Sequence, residues 1–142
     1  MFRITLAAAF LASPAWAEGW EPIRNAETGK GAVVCTDDFA QCFGLRCVAG
    51  RGTEFFVMLA GGAEAATDIS LRVDDTQVAA KSFEREDSFG DLVAPYGGES
   101  DAALIQALRT GSTVRLAVAG DEFAFSLKGS GKAIDGTLEA CR

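Results

Sequence analysis

Four cysteines carry most of the chemistry this chain has to offer. Cys35, Cys42 and Cys47 stand seven and five residues apart, and Cys141 is far away. A thiolate can attack, hold a metal or pair with another sulfur. No two cysteines have the Cys-x-x-Cys spacing of a thioredoxin-like redox centre. The spacings also depart from the close pairs that hold structural zinc, and there is no histidine to complete such a site. Pairing fits best, because the chain opens with an export signal. Arg3 is its basic start, Ile4 to Leu11 its apolar core, and Ser13-Pro14-Ala15-Trp16-Ala17 its small-residue end. Cleavage is expected after Ala17, leaving residues 18–142 as one domain. An even cysteine count in an exported domain reads as two disulfides, one of which must reach Cys141. The local bridge is expected to be Cys35–Cys47 or Cys42–Cys47; spacing does not choose between them.

The other reactive groups suggest less. Without histidine, no histidine-based triad exists. Carboxylates cluster at Asp37-Asp38, at Asp74-Asp75 and at Glu84 with Glu86-Asp87. Acid/base hydrolysis needs two carboxylates held at a set distance across a substrate, and neighbours in a turn or strand point apart. A hydrolase would need two of these clusters to converge. The paired aspartates are hard oxygen ligands, yet no twelve-residue calcium loop is present. Gly129-Ser130-Gly131-Lys132 lacks the length of a nucleotide-binding loop and reads as a turn and helix cap. These features assign no catalytic residue, no metal ligand and no cofactor, and the chain is expected not to be an enzyme. The alternatives are a carboxylate-based hydrolase and an ion- or small-ligand-binding module.

Charge narrows the partners. The formal charge is −7, and removal of the leader's single charged residue, Arg3, takes it to −8. Nucleic acid is excluded as a partner, because binding it needs a basic surface. The leader's apolar core is too short to remain as a membrane span, and no later stretch is long enough. A protein or envelope polymer is the expected partner, and a basic protein suits the charge. Phe89 and Tyr96 are the candidate contact residues. They flank the Gly- and Pro-containing segment 90–98, which reads as a long loop, and rigid rings give contact area at low entropic cost.

These groups must be positioned by a mainly β chain. Residues 32–35 make a short strand, and 36–38 a turn. Phe39 to Cys47 is dense in apolar residues but shows no period. Glu54 to Leu59 reads as a buried strand ended by Gly61-Gly62. Ile69, Leu71 and Val73 alternate with polar residues, as in a half-buried strand. A bend at Asp74-Asp75 leads into a returning strand over 77–83. Residues 84–88 are charged and expected to be exposed. Ser100 is placed as the cap of a short helix with Leu104, Ile105 and Leu108 on one face and Gly111 as a left-handed stop. Val114, Leu116 and Val118, then Phe123, Phe125 and Leu127, make a hairpin around Gly120-Asp121. A closing helix has Ser130 near its cap and Ile134, Leu138 and Cys141 on one face. Six or so strands and two short helices predict an antiparallel β-sandwich-like single domain. A single antiparallel sheet with a helical face (α+β) is the alternative.

The order of these parts has a family counterpart. Early Trp20 and clustered cysteines precede a β-rich middle. Leu104 to Gly111 then leads into the strand 112–119, and Phe125-Ser126-Leu127-Lys128-Gly129 leads through Ala133-Ile134 to Cys141. The sequence resembles the invasion-associated locus B family of exported bacterial proteins, most specifically in its last third. That resemblance implies a β-sandwich with a helix and disulfides, and in some pathogens a link to host-cell entry. It carries over no catalytic residue. The expectation for the whole is a non-catalytic periplasmic or secreted protein that binds another macromolecule. An envelope or invasion-associated factor and an enzyme inhibitor both belong to this class.

Overall fold

The computed structural model describes residues 19–23, 29–63 and 66–142. The leader and its expected cleavage point after Ala17 lie outside the described residues. Among the described residues nine strands form: β1 (Glu21–Ile23), β2 (Lys30–Cys35), β3 (Gln41–Val48), β4 (Gly52–Leu59), β5 (Ala66–Val73), β6 (Thr76–Arg85), β7 (Leu92–Pro95), β8 (Thr113–Val118) and β9 (Asp121–Ser126). Helix α1 (Ala102–Thr110) lies between β7 and β8, and α2 (Ser130–Ala140) follows β9. The strands form one antiparallel sheet in the order β1-β2-β3-β4-β7-β6-β5-β8-β9. The protein is therefore mainly β, with two short helices.

Apolar alternation fixes which face turns inward. Phe43 and Leu45, Phe55 and Val57, Ile69 and Leu71, and Val114 and Leu116 join the main core. Burying two strand-bound faces against each other requires the sheet to curl. The Trp20 backbone N–H donates to Lys128 O (3.0 Å) and its indole Nε1–H to Ser126 O (3.1 Å), so the residues just before β1 meet the end of β9. Phe43 on β3 and Phe125 on β9 face each other with ring centroids 6.1 Å apart. Hydrogen bonding is continuous through one nine-stranded sheet, which brings β3 and β9 face to face. Trp20 packs edge-on to Phe43 as its size demands (5.8 Å).

The helices close one side. Leu104, Ile105 and Leu108 of α1 and Ile134 of α2 are buried in the main core. The ends of α1 are held differently from the expectation. Ser100 does not cap α1; a 3-10 turn (Gly98–Asp101) precedes the helix. Asp101 is buried there, accepting from Gly97 N–H (2.6 Å) and pairing with Lys81 (2.6 Å). Gly111 ends α1 in an extended conformation (φ −80°, ψ 176°) rather than a left-handed one. Ser130 does stand beside the cap of α2, which is Gly129, and its hydroxyl donates to Leu108 O (2.6 Å), tying α2 to the end of α1.

The disulfides are Cys35–Cys42 and Cys47–Cys141, which corrects the expected local bridge. Cys35 and Cys42 are register partners across β2 and β3, with Cα atoms 4.0 Å apart. Cys47 lies five residues further along β3. That is about 17 Å away by strand rise, and an odd step turns its side chain to the opposite face from Cys42. Neither expected pairing can form in this register. Cys47 instead faces the end of α2 and reaches Cys141. Two disulfides indicate an oxidising compartment outside the cytoplasm. No helix among the described residues is long and apolar enough to cross a membrane.

Candidate functional site

The sheet carries a second buried layer on its outer face. On β3, Cys42, Gly44 and Arg46 point away from the main core. On β4, Met58, Phe56 and Glu54 stand opposite them. Phe56 is 1% exposed yet lies outside the core cluster. Its ring leans across Gly44, where a Cβ would come within 2.7 Å of it. Arg46 places its guanidinium 4.3 Å above that ring. It bonds Glu54 through Nε (3.0 Å) and Asp91 through Nη1 (2.9 Å). From the β3–β4 turn, Arg51 reaches Glu54 (2.9 Å) and Glu86 (3.3 Å). A Phe–Arg stack thus becomes the anchor of five charged groups.

This cluster shapes the turn between β6 and β7. Glu86 accepts from the backbone N–H groups of Ser88 (2.9 Å), Phe89 (2.6 Å) and Asp91 (3.2 Å). Burial pushes its pKa up, but those three donors and Arg51 together hold it below the ordinary glutamate value. Asp91 goes the other way. Burial raises its pKa, and the bond and charge of Arg46 only partly offset that. The expected exposure of 84–88 is therefore corrected at Glu86, which is buried because it folds its own turn. Both Glu54 oxygens are taken by arginines, as is one oxygen each of Glu86 and Asp91. The arrangement locks three carboxylates in place.

The locked turn presents Phe89, which is 46% exposed. Tyr96 does not join it. Segment 90–98 contains β7, and the two aromatics sit at opposite ends of that strand. Tyr96 is half-buried, donates its backbone N–H to Thr53 O (3.0 Å) and packs edge-on to Phe55 (6.1 Å). The register puts two other exposed side chains toward Phe89's end of the sheet. Met58 (42% exposed) is the cross-strand partner of Cys42, and Phe39 (53% exposed) stands in the turn between β2 and β3. These three are the exposed large hydrophobics of the described residues.

Phe39 has a left-handed backbone (φ 56°), a strained conformation for a bulky residue. Its turn is pinned by Thr36 N–H to Gln41 O (2.9 Å) and by the Asp38 carboxylate. That carboxylate accepts from the Thr36 hydroxyl (2.7 Å) and Ala40 N–H (3.0 Å). Those two bonds, the hydroxyl first, lower the Asp38 pKa. The Cys35–Cys42 bridge closes the turn's base. At the same end of the sheet, on its core side, a depression of about 470 Å³ lies among Leu59, Leu92, Val118, Phe123, Arg85 and Asp121. Exposed Asp37, Asp38, Asp87 and Asp121 surround the same end.

The remaining sequence candidates have local duties. Asp74 accepts from Ser112 N–H and Thr113 N–H (both 3.1 Å) and fastens the β5–β6 turn to the start of β8. Among the described residues no three His, Cys, Asp or Glu side chains gather as a metal site. Sequence reasoning missed Arg46 and its partners. The available signal was a lone arginine inside the apolar run from Cys42 to Val48, since a buried charge demands a partner.

The fold and its two bridges define a disulfide-bonded, antiparallel β domain with helices against one side. No family model and no curated protein matches the chain by sequence. Among solved structures it is similar to invasion associated protein B from Bartonella henselae. The match has a TM-score of 0.56 and 16% sequence identity, and covers 84% of this chain and 92% of that one. At this identity the likeness is one of fold.

Proposed function

We propose that this chain is an exported, non-catalytic protein that binds another protein through the turn end of its sheet. The exposure of Phe39, Met58 and Phe89 toward one end of the sheet, together with exposed Asp37, Asp38, Asp87 and Asp121, carries this reading. The partner it suits offers an apolar side chain among basic ones. Two disulfides support a place in the periplasm or outside the cell. The non-catalytic reading is supported by the buried carboxylates, whose oxygens are spent on arginines and backbone donors. Rigid presentation favours binding, because less entropy is lost on contact. The structural neighbour's name ties that protein to invasion, and a contact role at a host or envelope surface is the corresponding setting here.

The test is affinity capture from envelope extracts with the oxidised, exported chain and its Phe89→Asp and Met58→Asp variants. A basic protein should be retained by the wild type, released as salt rises, and lost from both variants while their circular dichroism stays native. Equal capture by all three chains would remove the turn end from consideration.

A further inference from the structure

We propose that the groove along α2 takes a single acyl chain with an anionic head. This cavity of about 610 Å³ lies at the opposite end of the sheet from the turn surface and stands independently of it. Its volume is within the range of pockets that hold small ligands, roughly 300–1,000 Å³. One wall is Trp20, Pro22 and Ile23; the other is Ala133, Gly136 and Ala140 of α2. Thr137, the neutral polar side chain among them, already donates to Ala133 O (2.9 Å). The Cys47–Cys141 bridge holds the end of α2 beside β2, so the width of the groove is fixed covalently.

Two observations point to the occupant. Among the described residues, Lys30 and Lys132 are the charged side chains lining the groove and no acid lines it, although the chain as a whole is at −7. The groove therefore attracts an anion in a protein that otherwise repels them. Gly136 is the second observation. Mid-helix glycine costs about 1 kcal/mol relative to alanine. Here no positive φ and no close neighbour requires it, since a Cβ would meet open space. A side chain at 136 would project into the groove, and its absence keeps the channel clear. Apolar walls, a cleared floor and lysines at the rim match an acyl carboxylate.

In the exported form cleaved near Ala17, Trp20 is the only tryptophan, so its emission reports on the groove. Sub-micellar dodecanoate should shift that emission saturably, and dodecyltrimethylammonium should bind at least about tenfold more weakly. Gly136→Leu should abolish the response with the unfolding midpoint kept or raised, because leucine outranks glycine in a helix. Lys30→Gln with Lys132→Gln should weaken dodecanoate about tenfold and leave dodecanol unchanged. No saturable response, equal binding of the cationic probe, or an affinity unmoved by Gly136→Leu would overturn the proposal. So would binding of a carboxyl-terminated apolar peptide in place of dodecanoate.

Discussion

Removing the Cys47–Cys141 bridge should cost about twice what removing Cys35–Cys42 costs. The two crosslinks span 94 and 7 residues of sequence. In the chain-entropy account, closing the long loop restricts the unfolded chain by about 4.7 kcal/mol and the short one by about 2.4 kcal/mol. The short bridge also joins residues that β2–β3 pairing already holds opposite each other. The long one joins α2 to a strand more than eighty residues upstream. Alanine replaces both sulfurs of each pair, because Cys42 is buried and a serine hydroxyl there would add a separate penalty. Urea unfolding of the two double variants against the oxidised wild type measures the difference. The long-bridge variant should lose about 4–5 kcal/mol and show a larger m-value, since its unfolded chain exposes more surface. Equal losses from the two variants, or a long-bridge loss under about 1.5 kcal/mol, would refute the account.

Arg46→Met should destabilise the fold by about 3–5 kcal/mol in the same urea experiment, because it takes the arginine from buried Asp91 and leaves Glu54 with Arg51 alone. Replacing Arg46, Glu54 and Asp91 together with apolar residues should recover most of that loss. Glu86 gives a pH signature. Its folded pKa is depressed, so its contribution is present above the ordinary glutamate value of 4.5 and is lost as pH falls through the folded value. The stability gap between the wild type and Glu86→Gln should therefore narrow from neutral pH to about pH 3. A gap independent of pH would mean that the Glu86 charge does not hold the turn.

Elements with one buried face were legible in the sequence. The strands around Ile69 to Val73 and the hairpin of Val114 to Leu127 alternate because polar residues face water on the other side. β3 was not, because five consecutive residues from Cys42 to Arg46 are buried on both faces, so no period of two appears. β7 was hidden by its brevity and by Pro95 within it. The disulfide pairing required the β2–β3 register, which no cysteine spacing encodes. Glu86 looks like its exposed neighbours Glu84 and Asp87, and only the return of the chain at Asp91 turns it inward. Phe89 was a candidate contact residue from its place beside a Gly- and Pro-containing segment, and it is exposed. Its companions Phe39 and Met58 are about fifty and thirty residues away, and they meet its end of the sheet only through β3–β4–β7 pairing.

The outer ion cluster is hard to justify as a source of stability. Two arginines and three carboxylates taken from water cost several kcal/mol each before pairing, and apolar replacements of such groups are often neutral or stabilising. Arg46 still leaves Nη2 buried without a partner. What the charges supply is direction. An apolar layer under the 86–91 turn would hold it by non-directional contact and would let Phe89 slide. Glu86 instead fixes the N–H groups of Ser88, Phe89 and Asp91, Arg51 fixes Glu86, and Arg46 fixes Asp91 against β3. The position of one exposed ring is thereby referred to strands of the sheet. The adjoining turn is fixed by a different means, with the Cys35–Cys42 bridge at its base and Phe39 held in a strained backbone at its tip. Two unrelated devices, ionic and covalent, immobilise neighbouring turns that a stable fold alone would leave free to move. That expenditure is intelligible where the turns must meet a partner already in shape.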